Sequence, residues 1–521
     1  MQQKRVTLYD TTLRDGTQGE GISFSLLDKL RIAQKLDAFG IDYIEGGWPG
    51  SNPKDVAFFE EAKKQVWKHA KIAAFGSTRR AGKLAAEDPQ VQLLIEAGTP
   101  VVTIFGKSWH LHVAEVLQVS VEENLAMICD TVKFLKEHGK EVIYDAEHFF
   151  DGCKDDRDHA LKTLRAAKEG GADLLVLCDT NGGCLPSEVA EMTGLVLEQL
   201  QMPVGIHTHD DSGLGVANAL AALDRGATHV QGTINGYGER TGNCNLTTVI
   251  PTLQLKMALP AVPQLNRLRD LSLFVDDLAN CPHNIRAPYV GGTAFAHKGG
   301  MHVNAVQKLA RSYEHIDPRA VGNRQTILIS ELSGQSNVLL KASELGYHLE
   351  KGSEEVKKIL ERVKELESLG YEFEAAEASF DLLIRRALGK HQPLFKLVLY
   401  HCNFVRSGDK SINTCEATIK LQIDDHILHE VSDGKGPVEA LDKSLRKALE
   451  PRYPEIKQLT LADYRVRIID GKDGTGARTR VLIQSTDGVR TWGTVGVSFN
   501  IIEASWQALV DSVEYHLLAA S

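Results

Sequence analysis

PVGIHTHDDSGLGVANALAALDRGATHVQG, residues 203–232, holds two short apolar runs on either side of a helix-like pattern. That is one complete strand–helix–strand unit. If residues 204–209 are a strand, His207 and His209 point to one face at its C-terminal end, because side chains in a strand alternate with period two. Two polar strand-end groups facing water is the plain reading of such a pair. Two ligands of one cation is the sharper reading, since imidazole is the commonest protein metal ligand. The H-x-H spacing is weak evidence alone, and the surrounding chain has to decide.

Outward from this unit the pattern repeats. RVTLYD, IDYIEGG, KIAAFGS, VVTIFGK, EVIYDAEH, DLLVLCDT, PVGIHTHD and HVQGTING are eight apolar runs between residues 5 and 236. They start about 30 residues apart, the length of a βα unit. Residues 25–40, SLLDKLRIAQKLDAFG, are a typical intervening helix. Ser25 caps it, Asp28 occupies the capping-box position and Gly40 follows its end, with Leu27, Leu30, Ala33 and Leu36 as the expected apolar face. Eight such units in about 255 residues predict a (β/α)8 TIM barrel. A doubly wound open sheet is the alternative, but no glycine-rich turn follows RVTLYD.

The rhythm changes after Pro260. An irregular and helical linker region is expected, with two helices in and after SEEVKKILERVKELESLG. Then FKLVLYHCNFVR, EATIKLQID and HILHEVSD precede a helix PVEALDKSLRKALE. YRVRIID, TRVLIQS and TWGTVGVSF precede a second, IIEASWQALVDSVEYHLLAA. This predicts a C-terminal α+β domain built as βββα twice. The expected division is barrel 1–280, linker 281–392 and C-terminal domain 393–521. Glycines in SDGKGPVEA leave room for a tight turn or a small ligand.

Composition narrows the function classes. The chain has 521 residues, 25% charged and 43% hydrophobic, with a net charge of -10. That balance argues against nucleic-acid binding, and no apolar run is long enough to span a membrane. Eight cysteines occur without a CxxC pair, so a reducing, cytoplasmic setting is expected.

Barrel chemistry collects at the C-terminal ends of the strands. Strand 1 ends in DTTLRDGTQ, supplying Asp10, Arg14, Asp15 and Gln18. Strand 8 leads into NGYGERTGNCN, supplying Asn235, Glu239, Arg240 and Asn243. In a closed barrel strands 7, 8 and 1 are neighbours, so Asp15, His207, His209 and Asn243 can converge on one cation. Two imidazoles and a carboxylate with open positions describe a catalytic site, compatible with Zn, Mn, Co or Mg. Glu45, Glu147, His148, Asp179, Thr180 and Asn181 end strands 2, 5 and 6 and are candidates for a polar substrate site. His110 and His112 in SWHLHV repeat the H-x-H spacing on the far side of the barrel. They are read as loop structure or substrate rim.

LRDGTQ, HTHDDSGLGVAN and NGYGERTGN resemble the signatures of the alpha-isopropylmalate/homocitrate synthase family of DRE-TIM metallolyases, which condense acetyl-CoA with 2-oxo acids. FAHKGGMHVNAV and SYEHIDPRAVGN resemble that family's linker motifs, and GKGPVEALDKSLRKAL its C-terminal regulatory domain. The resemblance covers nearly the whole chain. It implies a divalent cation held by Asp15, His207, His209 and Asn243. It further implies catalytic Arg14, Glu147, His302 and Tyr313, and a substrate pocket with Arg14, Tyr144 and Thr180. GGWPGSNPKD is most similar to the pyruvate-using, citramalate-forming branch, and a bulky Tyr144 would shorten the pocket toward pyruvate. The implied partners are pyruvate, acetyl-CoA, a feedback amino acid (isoleucine by pathway logic) and a second copy of the chain, since His302 and Tyr313 lie outside the barrel sequence. The rivals are a 2-isopropylmalate synthase, a carbon–carbon lyase on the same barrel, and a non-catalytic amino-acid sensor.

Overall fold

Each apolar run becomes a strand whose alternate side chains divide between two environments. The strands are β1 (Thr7–Asp10), β2 (Tyr43–Gly47), β3 (Lys71–Ser77), β4 (Val101–Lys107), β5 (Glu141–Glu147), β6 (Leu174–Asp179), β7 (Val204–Thr208) and β8 (His229–Gly232). In the computed structural model they form a closed parallel barrel in sequence order, and β1 pairs with β8 from Thr7↔His229 to Asp10↔Gly232. The structure describes residues 5–297, 302, 305–306, 308–327, 335–373, 375–406, 413–469 and 474–520. Outward-facing residues such as Leu8, Ile44, Ile104 and Tyr144 pack under the surrounding helices. Inward-facing Tyr9, Ala73, Val101, Ile143, Val176 and Cys178 fill the barrel. The barrel interior is also polar: the Tyr9 hydroxyl donates to Glu45 Oε2 (2.7 Å) and lies 2.7 Å from Thr103 Oγ1.

The helix Leu26–Phe39 carries the expected Ser25–Asp28 capping box and ends at Gly40 with φ 104°. Its buried stripe is Lys29, Ile32, Ala33 and Leu36. Leu27, expected on that stripe, is 56% exposed. It precedes Lys29 by two residues, about 200° around the helix. Lys29 is tolerated in the stripe because its ammonium pairs with Asp55 (2.5 Å) and donates to Gly46 O (3.1 Å).

The chain divides into two compact units, residues 1–295 with 316–324, and 296–315 with 325–521. The second unit contains two antiparallel three-stranded sheets. One is β9 (Lys396–Arg406), β10 (Asn413–Ile423) and β11 (His426–Gly434), followed by the helix Pro437–Leu449. The other is β12 (Thr460–Ile468), β13 (Thr479–Thr486) and β14 (Thr491–Ser498), followed by the helix Ile501–Ala520. The βββα duplication is therefore present. The two halves differ in their outer faces. Leu482, Val495 and Val497 of the second sheet pack with Val356, Ile359 and Phe380 of the linker helices Glu354–Ser368 and Glu377–Ala387. In the first sheet Leu399, Val405, Ile427 and Val431 remain exposed. The glycine stretch before Pro437 is a tight turn, since a Cβ on Gly434 would lie 2.5 Å from Ala440 N. Among the described residues no helix is long and apolar enough to cross a membrane.

Candidate active site and metal centre

A cavity of about 250 Å³ opens among Asp15, Trp48, Glu147, Thr180, His207 and Arg240. All six sit at strand C-terminal ends or in the loops that follow, as barrel geometry dictates. The β7 alternation puts His207 and His209 on the same side, with ring centroids 5.2 Å apart. Their Nε2 atoms are 3.3 Å apart, and His207 Nε2 is 3.4 Å from Asp15 Oδ2. Ligands about 2.1 Å from one ion in tetrahedral array are about 3.4 Å from each other, so both of these edges match a metal site, and the ligand atoms of all three residues lie within 4.8 Å of one another. Among the described residues Asp15, His207 and His209 are the one such grouping.

The loop after β8 closes the fourth side. His209 and Asn243 form an isolated bridge, and Asp210 N donates to Gly242 O (3.0 Å). Gly238 (φ 155°) and Gly242 (φ 102°) make this approach possible. A Cβ on Gly238 would lie 2.1 Å from Asn243 Nδ2, and one on Gly242 1.9 Å from Gly236 O. Asn243 Nδ2 donates to Tyr237 O (3.1 Å), while its Oδ1 is buried without a protein partner. An orphaned amide oxygen beside two facing imidazoles and a carboxylate fits a hard or borderline cation.

Below the triangle, His207 Nδ1 donates to Gln231 Oε1 (2.8 Å), and Gln231 Nε2 donates to Asp145 Oδ1 (3.0 Å). This chain fixes the tautomer that leaves Nε2 as the ligand atom. Arg14 is equally constrained. Its Nε donates to Glu45 Oε1 (2.5 Å), its guanidinium lies 3.7 Å from the Phe75 ring centroid, and its Nη2 is 3.4 Å from Asp15.

The electrostatics suit ligation. Burial raises the Asp15 carboxyl, but Arg14, His207, His209 and the Asn243 amide more than offset this and hold it below the usual carboxylate range. Burial, reinforced by His207, pulls His209 down to about 4, so its ring is neutral at physiological pH. Asp145 is pushed well above the carboxylate range, by burial first and then by Glu45.

The family description HMGL-like matches residues 5–275, and two further descriptions match beyond it: homocitrate synthase post-HMGL domain-like over 289–370, and LeuA allosteric (dimerisation) domain over 374–517. The chain belongs to the HMGL-like family. An (R)-citramalate synthase of Aquifex aeolicus is 55% identical across 99% of this chain and 98% of its own length. One from Geobacter sulfurreducens is 53% identical across 98% and 97%. A probable 2-isopropylmalate synthase of Methanopyrus kandleri is 32% identical across 98% of each chain.

The HMGL-like barrel brings Arg14, Glu147 and Thr180 to the cavity together with the triangle. Glu147 forms an ion pair with Lys107. Thr180 Oγ1 accepts from His148 N (2.9 Å). Tyr144 is a correction. It is fully buried in the layer between barrel and helices, while its neighbours Ile143 and Asp145 face inward. Strand period two sends Tyr144 away from the pocket it was expected to shorten. The apolar wall is instead Trp48, Phe75 and Phe105, whose rings lie 5.5–5.9 Å apart. Phe75, Phe105, Asp145 and Gln231 went unnoticed in the sequence because each sits within an apolar run; the inward parity set by Glu147 marks Asp145. His302 and Tyr313 belong to the second unit, where both are exposed and their rings are 4.5 Å apart. Asn235 supports the loop, donating to Asp276 Oδ1 (2.6 Å). His112 packs against Trp109 and His148 outside the cation grouping.

Proposed function

We propose that this chain is an (R)-citramalate synthase, an acyltransferase that condenses acetyl-CoA with pyruvate and hydrolyses the thioester to release (R)-citramalate and CoA. The observation that carries this reading is identity of 55% with an (R)-citramalate synthase along nearly the whole of both chains. The 2-isopropylmalate alternative rests on much lower identity, 32%.

Asp15, His207 and His209 would hold a divalent cation, with Asn243 completing the set. Such a cation, when bound, supplies Lewis acidity toward a ketone oxygen. Arg14, locked by Glu45 and Phe75, keeps a positive charge beside the triangle, where it stabilises the alkoxide that develops as the new carbon–carbon bond forms. Thr180 Oγ1 already accepts from His148 N, so its O–H is left to donate to the pyruvate carboxylate. Trp48, Phe75 and Phe105 enclose the methyl group. His302, aided by Tyr313 and Glu147, removes a proton from the acetyl methyl. This role requires the linker of the same or a second subunit to reach the barrel mouth. Water then attacks the citramalyl thioester.

A homodimer, feedback by isoleucine at the C-terminal domain, a place in isoleucine synthesis and a cytoplasmic setting complete the reading. The dimerisation description of residues 374–517 supports the dimer. Division into a barrel of 1–280, a linker of 281–392 and a regulatory domain of 393–521 is part of the same proposal.

Thiol release from acetyl-CoA with a panel of 2-oxo acids tests the substrate. Pyruvate should give CoA; release with 2-oxoisovalerate and none with pyruvate would overturn the assignment. Phe105→Ala opens the apolar wall, and the kcat/KM ratio of 2-oxoisovalerate to pyruvate should rise about tenfold or more.

A further inference from the structure

Lys107 and Glu147 end β4 and β5 and are the last partners of that parallel pairing. Strand parity aims both toward the barrel mouth. Val101 and Phe105 precede Lys107 on the inward face of β4, as Ile143 and Asp145 precede Glu147 on that of β5. The Lys107 ammonium pairs with Glu147 Oε2 and lies 5.5 Å from the centroid of the Phe105 ring, a wall of the cavity. Only 16% of the lysine side chain and 24% of the glutamate side chain are exposed. The backbone of this last rung is pinned on both sides. Ser108 N donates to Glu147 O (3.2 Å), and Asn124 Nδ2, from the helix Val121–Glu137, donates to Lys107 O (3.0 Å).

Sheltering an ion pair costs desolvation that its attraction only partly repays, so stability is a poor reason for this one. The C-terminal rim of a barrel is where reacting groups gather. The other cations of the cavity are engaged elsewhere: Arg14 with Glu45 and Asp15, Arg240 with Asp211 and Glu239. Among the described residues Lys107 alone forms an ion pair with Glu147. The His112 ring beside them is no second cation, since burial first, then His148 and Lys107, hold it below its ordinary range. Glu147 thus has a cation of its own. A free glutamate side chain samples several rotamers, and a reacting group misplaced by about 1 Å can lose on the order of 100-fold in rate. We propose that Lys107 is a positioning residue for removal of the acetyl proton, acting through Glu147. In that step the methyl C–H bond breaks, its proton passes to His302 and its electron pair enters the thioester as an enolate. Lys107 holds the Glu147 carboxylate at one place on the cavity wall while this happens. The inference rests on the proposed reaction and on the part Glu147 takes in it.

Thiol-release kinetics on the full, cation-loaded chain test this role, with whichever 2-oxo acid the parent protein turns over. Lys107→Met keeps most of the stem and removes the charge; Lys107→Arg keeps the charge. The kcat should fall about 10–100-fold in Lys107→Met and stay within about threefold of the parent in Lys107→Arg. KM for the 2-oxo acid, and cation affinity by chelator competition, should stay within about twofold in both, because Lys107 is paired with none of the groups that hold either. Glu147→Gln closes a double-mutant cycle: in that background Lys107→Met should change kcat by less than about twofold. Circular dichroism checks that each variant keeps the fold. Additive losses in the cycle would overturn the proposal. So would a lowered unfolding temperature with kcat unchanged, or a Lys107→Arg enzyme as slow as Lys107→Met. A parent-like kcat in Glu147→Gln would remove the part given to Glu147 and this proposal with it. Failure of the citramalate reading appears separately, as CoA release with another 2-oxo acid and none with pyruvate.

Discussion

Gln231 carries a role that only its partners reveal. It sits below the triangle, where it accepts from His207 and donates to Asp145. Gln231→Leu keeps the volume but frees the His207 ring and strips Asp145 of its donor. Cation affinity should fall about 10–100-fold, measured by competition with a chromogenic chelator. His229, at the other end of the same barrel, gives a pH signature. Burial alone pulls it down to about 3. The unfolded chain therefore takes up a proton near pH 6.5 that the folded barrel refuses until near pH 3. Its contribution is lost as pH falls through that window, at up to about 1.4 kcal/mol per pH unit. Urea unfolding at pH 4.5 to 7 should show this slope, and His229→Gln should reduce it by one proton. An unchanged slope would remove His229 as its source.

Among the elements, the loop after β8 matters as much as the strands. Gly242 lets it fold back onto β7, where Asp210 and His209 meet it. Gly242→Ala forces a Cβ against Gly236 O at 1.9 Å in a left-handed backbone. Gly213→Ala is the matched control, with φ 71° and nothing within 4 Å. The control should cost about 1–2 kcal/mol and keep cation affinity. Gly242→Ala should cost more and lose cation affinity as Asn243 and His209 shift. Thermal unfolding and the chelator assay read both. Equal behaviour of the two variants would mean that the close approach is not what orders the rim.

For the molecule as a whole, the chain leaves the first unit at residue 295 and returns to it for 316–324. The returning segment is anchored by Asn323, whose buried Nδ2 donates to Tyr289 O and Gly291 O, both at 2.9 Å. Val321 is fully buried in the barrel core cluster. Asn323→Ala orphans two carbonyl groups and should lower the unfolding free energy by about 1–3 kcal/mol. Differential scanning calorimetry should place this loss in the transition of the barrel unit; a shift confined to the other unit would show that the returning segment does not brace the barrel.

The barrel, the βββα duplication and the Asp15–His207–His209 set were legible in the sequence. Each is written in local periodicity: strand spacing of about 30 residues, helix caps such as Ser25 and Asp28, and parity along β7. The wall of the pocket was not legible as a whole, because Phe75, Phe105 and Asp145 are letters within apolar runs; strand parity marks Asp145 as inward, but barrel closure decides that the three line one pocket. The same closure removed Tyr144 from the pocket. A second cavity, about 520 Å³ and within the other unit, is further still from local pattern. Its walls come from residues 354–387 and 491–520, and nothing short of packing those helices and that strand together could say that a space remains between them.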